Sequence, residues 1–426
     1  MEQKEFKVGG RGAWGVFTVL TLLYLINRAD LAIINVALQP IKLAFNLTDA
    51  QAGMIPSMAT LGIALLTIPA SIFGDRWARR KVVMIMGLIW SVFTFATSIV
   101  TNLWQMLTVR FMVGAGEAGY ATTGISWLSG SFEKQRRAMI IALFWVGGML
   151  GQVVGLIFGG LLVANYGWQS PFYVFALPGI ILALIAFFLP DFKTLRREGE
   201  AMLSKEFFKD LGGLFKVKSY WLIIISTSFY YFCLFAWPAW MPSLFMRAFN
   251  MPVQQAGMLY GVTIFALLVG GPLGGFLADR FNKRSRNGRP YYMIIARAME
   301  FLFTGAALLL LDVSFGLFYA ALMLTTMMAG MVAPQYITMT TDVSPVRLRA
   351  SAIGMNNFIA QVTGATLGSL LVGVISDAAG GGARGIQIGL AWLLIASLLS
   401  LATLFILPRF YPKDCAGVGD EILVKE

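Results

Sequence analysis

The stretch "GGFLADRFNKR", Gly274 to Arg284, has a counterpart in the first half of the chain, "GDRWARRK", Gly74 to Lys81. Each combines Asp-Arg with further basic residues, and each closes a long apolar run. Working outward from them, apolar runs of the ~20 residues that a bilayer core demands recur between residues 13 and 408, joined by short polar connections. We count about twelve such runs. The two stretches then fall at matching places, each at the end of the second run of a set of six. This predicts an all-α integral membrane protein of twelve transmembrane helices in two six-helix pseudo-repeats.

The composition agrees. Of 426 residues 58% are hydrophobic and 13% charged, and the mean hydropathy is +0.74. Too little polar material remains to cover a water-soluble surface. The first run follows the polar head "MEQKEFKVGGRGAW" without a small-residue cleavage pattern, so it is read as a retained helix. The formal charge of +12 is a matter of topology. With both termini cytoplasmic, most Lys and Arg fall on the cytoplasmic side, and the opposite side carries only Lys42, Arg247 and Arg384. Such a bias orients the chain in a cell (inner or plasma) membrane and needs no nucleic acid.

Residues 1–190 are expected to form an N-terminal six-helix bundle and 220–408 a C-terminal one. Between them, 191–219 is a charged cytoplasmic linker with an amphipathic surface helix, and 409–426 is a cytoplasmic tail. There is no histidine, which removes the usual zinc and proton-shuttle arrangements. Cys233 lies in the seventh run and Cys415 in the tail, so neither a disulfide nor a cysteine metal site is expected. Without a GxSxG elbow or a Walker A pattern the chain does not read as an enzyme, and no cofactor or metal is expected. Proton chemistry must use carboxylates.

The two loops resemble the signature of the major facilitator superfamily. The second copy matches through Gly275, Leu277, Asp279, Arg280, Lys283 and Arg284, with Asn282 at a usual glycine; the first keeps Asp75, Arg76, Arg79, Arg80 and Lys81, with Ser71 and Ala78 at glycine positions. In that family the loop ties two helices on the cytoplasmic side, which implies gating roles for Asp75, Arg76, Arg80, Asp279 and Arg280. The fourth run, 103 to 128, contains "VRFMVGAGEAGY", Val109 to Tyr120, and the fifth "GGMLGQVVGLIFGG", Gly147 to Gly160. Both are similar to superfamily motifs. The fifth-run glycines recur every fourth residue, a spacing that lets helix backbones approach closely.

Charges persist inside membrane helices where they face a cavity or a partner. Arg110 and Glu117 lie about two turns apart on one face, too distant to bridge directly, so each needs a partner on another helix. In the first run Asn27 and Asp30 share a stripe, and Arg28 points about 100° away. Gly114 to Ala118, together with these residues, resembles the organic anion:cation symporters and the Spinster-like carriers. The resemblance implies that Arg28 and Arg110 attract an anionic substrate group and that Glu117 takes up a coupling proton. It departs at Asn27, where the family usually has Asp. Asp30, one turn away, either replaces the missing carboxylate or neutralises an arginine permanently.

Further candidates for substrate contact are Asn27, Tyr120, Tyr230, Tyr231, Asn356, Asn357 and Gln361. The amides serve equally well as interhelical links. Arg297 and Glu300, at i, i+3, read as a structural pair. The expectation is a monomeric secondary carrier, working by alternating access among membrane lipids, that moves an organic anion with protons. A lysolipid or sphingoid-lipid carrier, or an uncoupled uniporter, is the alternative.

Overall fold

The structure, a computed structural model, describes residues 8–191, 212–345 and 348–417, without the side chains of residues 68, 71–76 and 350. It is helical from end to end, with no strand among the described residues. In chain order the helices are α1 (Arg11–Phe45), α2 (Asp49–Arg76), α3 (Arg79–Thr97), α4 (Leu103–Glu117), α5 (Tyr120–Ser131), α6 (Lys134–Tyr166) and α7 (Ser170–Phe188). After the linker come α8 (Lys218–Ala248), α9 (Val253–Arg284), α10 (Gly288–Leu310), α11 (Phe315–Asp342) and α12 (Arg349–Ala360). One π-helical turn, Gln361–Ala365, then leads into α13 (Thr366–Ala378), followed by α14 (Gly382–Ala391), α15 (Leu393–Ile406) and the short α16 (Tyr411–Gly417).

Among the described residues, eleven helices are long and apolar enough to cross a membrane. The remaining span, fourth in order, was expected as one run over 103 to 128. It is built as two helices instead, α4 of 15 residues and α5 of 12 residues, separated at Ala118 and Gly119. Neither piece reaches spanning length alone, which is why the count by length is one short of twelve. The linker's amphipathic helix lies outside the described residues.

The chain divides into two compact units. One comprises residues 1–195, 237–262 and 369–386; the other comprises 196–236, 263–368 and 387–426. The expected 1–190 and 220–408 bundles follow the order of the chain, whereas these units follow packing. In the first unit the core gathers Trp90, Tyr120, Trp127, Phe132 and Phe144. In the second it gathers Tyr220, Tyr230, Tyr292, Tyr336 and Tyr411.

Within the first unit α1 and α6 lie backbone to backbone. A Cβ on Gly151 would fall on the carbonyl of Leu25, and one on Gly155 on the carbonyl of Ala29. The fourfold glycine spacing therefore does the packing its pattern implied. The contact uses the Leu25 and Ala29 side of α1; Asn27 and Asp30, on another side of the same helix, are 2% and 0% exposed. Valine at Gly151 is expected to force the two helices apart, at a cost of about 1–3 kcal/mol as for other overpacked sites. The check is the thermal unfolding of purified protein, with Gly305→Ala, which meets nothing within 4 Å, as the neutral comparison.

The fourth helix is clamped on two sides. Gly114 meets Ala59 of α2, and Gly116 meets the backbone of Trp90 on α3. At the break a Cβ on Gly119 would come 2.7 Å from that of Ala70. Small residues fix α4 closely enough to aim Arg110 and Glu117 inward, at 0% and 7% exposure.

Candidate functional site

The partner that Arg110 requires is Asp30. The guanidinium faces both carboxylate oxygens at 3.5 Å, and neither residue is exposed. A further N–H of Arg110 donates to Thr97 Oγ1 at 3.0 Å, and the guanidinium carbon lies 5.1 Å from the centre of the Phe172 ring. Side chains from α1 and α3 and one ring from α7 thus hold a single cation. Its charge is balanced by Asp30 and its orientation is fixed.

Glu117 ends α4 where the helix is interrupted. It lies within electrostatic reach of Asp30, Arg28 and Arg110. One of its carboxylate oxygens, Oε1, is buried without a hydrogen bond, and so is Nδ2 of Asn27. Buried polar groups are normally paired, so unpaired ones mark a place where the structure has more to do than pack. Nearby on α3, the hydroxyls of Ser91 and Thr94 are also buried without a partner.

Arg28 is placed differently from Arg110. It is half-buried and no salt bridge fixes it among the described residues. Its guanidinium lies 5.0 Å from the centre of the Tyr24 ring, an arrangement that stabilises a cation without cancelling its charge. Tyr24 is held in turn by stacking on Phe144, with centroids 4.4 Å apart. With Asp30 committed to Arg110, Arg28 and Glu117 form the adjustable part of the cluster. They sum to zero when Glu117 is ionised and to one positive charge when it is protonated.

Two of the expected ligands bond within the fold. Tyr120 donates its hydroxyl to the carbonyl of Leu20 at 2.5 Å, and Tyr230 donates to that of Ala329 at 2.8 Å. Both are buried, at 1% and 0% exposure, and their O–H protons are spent on joining helices. Tyr24, Thr97 and Phe172 escaped the sequence reading. The signal for Thr97 was the Ser91, Thr94, Thr97 row, three residues apart on one face of α3.

In the second unit Arg297 and Glu300 bridge at 2.6 Å. Arg297 also donates to Ser397 at 3.1 Å and covers the Tyr230 ring at 5.2 Å. Tyr231 donates to Asn357 Oδ1 at 3.0 Å, and Asn356 donates to Thr340 at 2.9 Å. The side-chain oxygens of Asn356 and Gln361 are buried and unpartnered, and Gln361 opens the π turn. Single π turns inside helices are frequent at functional sites.

Of the expected gating residues, Asp75 and Arg76 fall among the side chains that are not described. Arg80 lies over the Phe187 ring at 5.6 Å, and its backbone N–H donates to Asp191 at 3.3 Å. Asp279 meets Arg289 at 3.3 Å, while Arg280 is exposed. Arg289 also bridges Asp342, which accepts the Tyr411 hydroxyl at 2.6 Å. Burial, with Asp342 nearby, pushes the neighbouring Cys415 thiol up to about 12, so it stays protonated and unreactive near neutrality.

Duplicated loops and an ionic cluster buried beside a broken helix are features that transporters built from repeats share. The model of the Major Facilitator Superfamily matches residues 20–365, and the chain belongs to that family. It is similar to an MFS-type efflux pump of Mycolicibacterium smegmatis, 26% identical over 92% of this chain and 91% of the relative. It is also similar to the cis,cis-muconate transport protein of Acinetobacter baylyi, 25% identical over 85% and 89%. Protein spinster of Drosophila melanogaster is 27% identical over 87% of this chain and 63% of its own length. In fold it matches a bacterial homologue of the human lysosomal transporter Spinster, solved inward-facing and unoccupied, with a TM-score of 0.83 and 23% identity over 95% and 98% of the two chains.

Proposed function

We propose that this multi-pass transporter carries an organic anion by alternating access and couples it to protons through Glu117. The observation that carries the reading is the buried Glu117 carboxylate, with Oε1 free of any hydrogen bond, within electrostatic reach of Arg28 and next to an Arg110 already neutralised by Asp30. Protonating Glu117 leaves Arg28 with an uncompensated charge, and a monoanion restores neutrality. Substrate and proton then favour each other's binding, a reciprocity that linkage requires. Asn27 leaves Asp30 and Glu117 as the carboxylates of this cluster. Because Asp30 is salt-bridged, Glu117 is the one that cycles, and we propose one proton per anion.

The muconate relative supports an organic carboxylate, since that protein is named as a transporter of one. A lysolipid is the second reading, favoured by the resemblance of Gly114 to Ala118 to the Spinster-like carriers and by the similarity to protein spinster. We place the protein in the cell membrane with both termini cytoplasmic, on the strength of the Lys and Arg bias.

The test is uptake into proteoliposomes of radiolabelled dicarboxylates, aromatic carboxylates and lysolipids, with and without an inward proton gradient. Saturable uptake of a carboxylate, accelerated by the gradient, is the expected result. Uptake of lysolipid alone, or of any substrate without response to the gradient, would replace the proposal by the Spinster-like or the uniporter reading.

A further inference from the structure

Lys42 and Arg247 are two of the few basic residues assigned to the side opposite the signature loops, and the carrier cycle above gives them no task. Both converge on Asp49, the first residue of α2, which is 0% exposed. Arg247, near the end of α8, reaches its two oxygens with separate N–H groups at 2.9 and 2.7 Å. Lys42, near the end of α1, bridges the same carboxylate. Ser376 of α13 donates to it at 2.6 Å. Arg247 in turn is held by Gln39 at 2.8 and 2.6 Å.

A second carboxylate works in the opposite direction. Asp377 of α13 accepts the backbone N–H groups of Asp49 and Ala50 at 2.8 and 2.7 Å. It caps the positive end of α2 from a helix more than three hundred residues away in sequence, separated by 328 and 327 positions. Around these bonds the backbones touch. A Cβ on Gly373 would strike the backbone of Asp49, and one on Gly53 the backbone at Ser369. All of this lies within the first compact unit, where the ends of α1 and α2, from the first six spans, meet those of α8 and α13, from the second six.

We propose that this cluster is a latch: Asp49, gripped by Arg247, Lys42 and Ser376, holds that face closed, and its release is required for the face to open. The buried Asp49 carboxylate faces two partly buried cations, Lys42 and Arg247, while Asp377 is exposed, so the four charges of the cluster sum to zero. The chemistry also suits a reversible closure. A buried ion cluster is little more stable than the same ions in water, because desolvation offsets their attraction. Water can therefore replace each bond as the face opens, whereas an apolar seal would lose its burial outright.

The test uses the full chain, purified and reconstituted without substrate, so its outcome does not depend on what is carried. Spin labels replace the exposed Ala44 and Ala378, in a background with Cys233 and Cys415 changed to serine, and the distance between them is measured. A longer-distance population is expected to grow by about tenfold or more in both Asp49→Asn and Arg247→Gln. The two changes combined should do no more than either alone, as for partners in one interaction. Lys42→Gln, which spares the Arg247 bridge, should produce a smaller shift in the same direction. Unchanged distances in Asp49→Asn and Arg247→Gln, or effects that simply add, would overturn the latch. Should those variants fail to fold, an absence of any shift in Lys42→Gln would do the same.

Discussion

Glutamine at position 117 is expected to abolish the response of transport to a pH gradient while leaving exchange of substrate for substrate intact. A gradient of one pH unit is worth ~1.4 kcal/mol for each proton moved, or about tenfold in accumulation. The wild-type carrier should gain that factor through one proton. Glu117→Gln should gain none, because its amide imitates the protonated acid at every pH. Exchange does not need the proton to leave, so labelled anion should still enter vesicles loaded with unlabelled anion. Gradient-driven accumulation that survived in the variant would remove Glu117 from the coupling role.

The second large effect concerns stability. Leucine at Arg110 would leave Asp30 fully buried without its counter-ion, and breaking a buried pair from one side costs about 3–5 kcal/mol. The double variant Asp30→Asn with Arg110→Gln removes both charges and should recover much of that loss. Arg28→Gln is expected to fold normally and to lose anion uptake, since Arg28 is half-buried and stands over a tyrosine ring with no carboxylate pinning it. Thermal unfolding in detergent, set beside uptake, separates the two arginines. The expected split is a lower unfolding temperature on loss of Arg110 and lower uptake on loss of Arg28.

The architecture was legible because its signals are local. Run length, the repeated Asp-Arg loops and the fourfold glycine spacing each lie within a few tens of residues, and each has one dominant physical meaning. Partnerships across the fold were not. That Arg110 needed a counter-ion followed from its place in an apolar run, but its choice of Asp30 depends on how α4 sits against α1, which the small residues of both neighbours decide. Tyr120, one turn past Glu117, and Tyr230, deep in the seventh run, stand out in the sequence by position, which does not say what each O–H meets. The backbone carbonyls that satisfy them, Leu20 and Ala329, leave no mark in the sequence around each tyrosine. The break after Glu117 was hidden for another reason, since hydropathy remains high through Ala118 and Gly119 while the helix stops. Lys42 and Arg247 were sorted by the side of the membrane alone, and a topology rule says nothing about what a charge touches.

The π turn at Gln361–Ala365 bears on how relatives of this chain differ in length. Thr366 returns to the carbonyl of Gln361 through its backbone N–H, a ring one residue wider than that of an α-helix. The turn therefore stores a single surplus residue without disturbing α12 or α13 on either side. A homologue lacking one residue in this window would keep both flanking faces in register and lose only the bulge, with the position that Gln361 now holds. Alignments of the family should show a one-residue gap here, and its presence or absence would sort the sequences that share this polar turn from those with an unbroken α-helix.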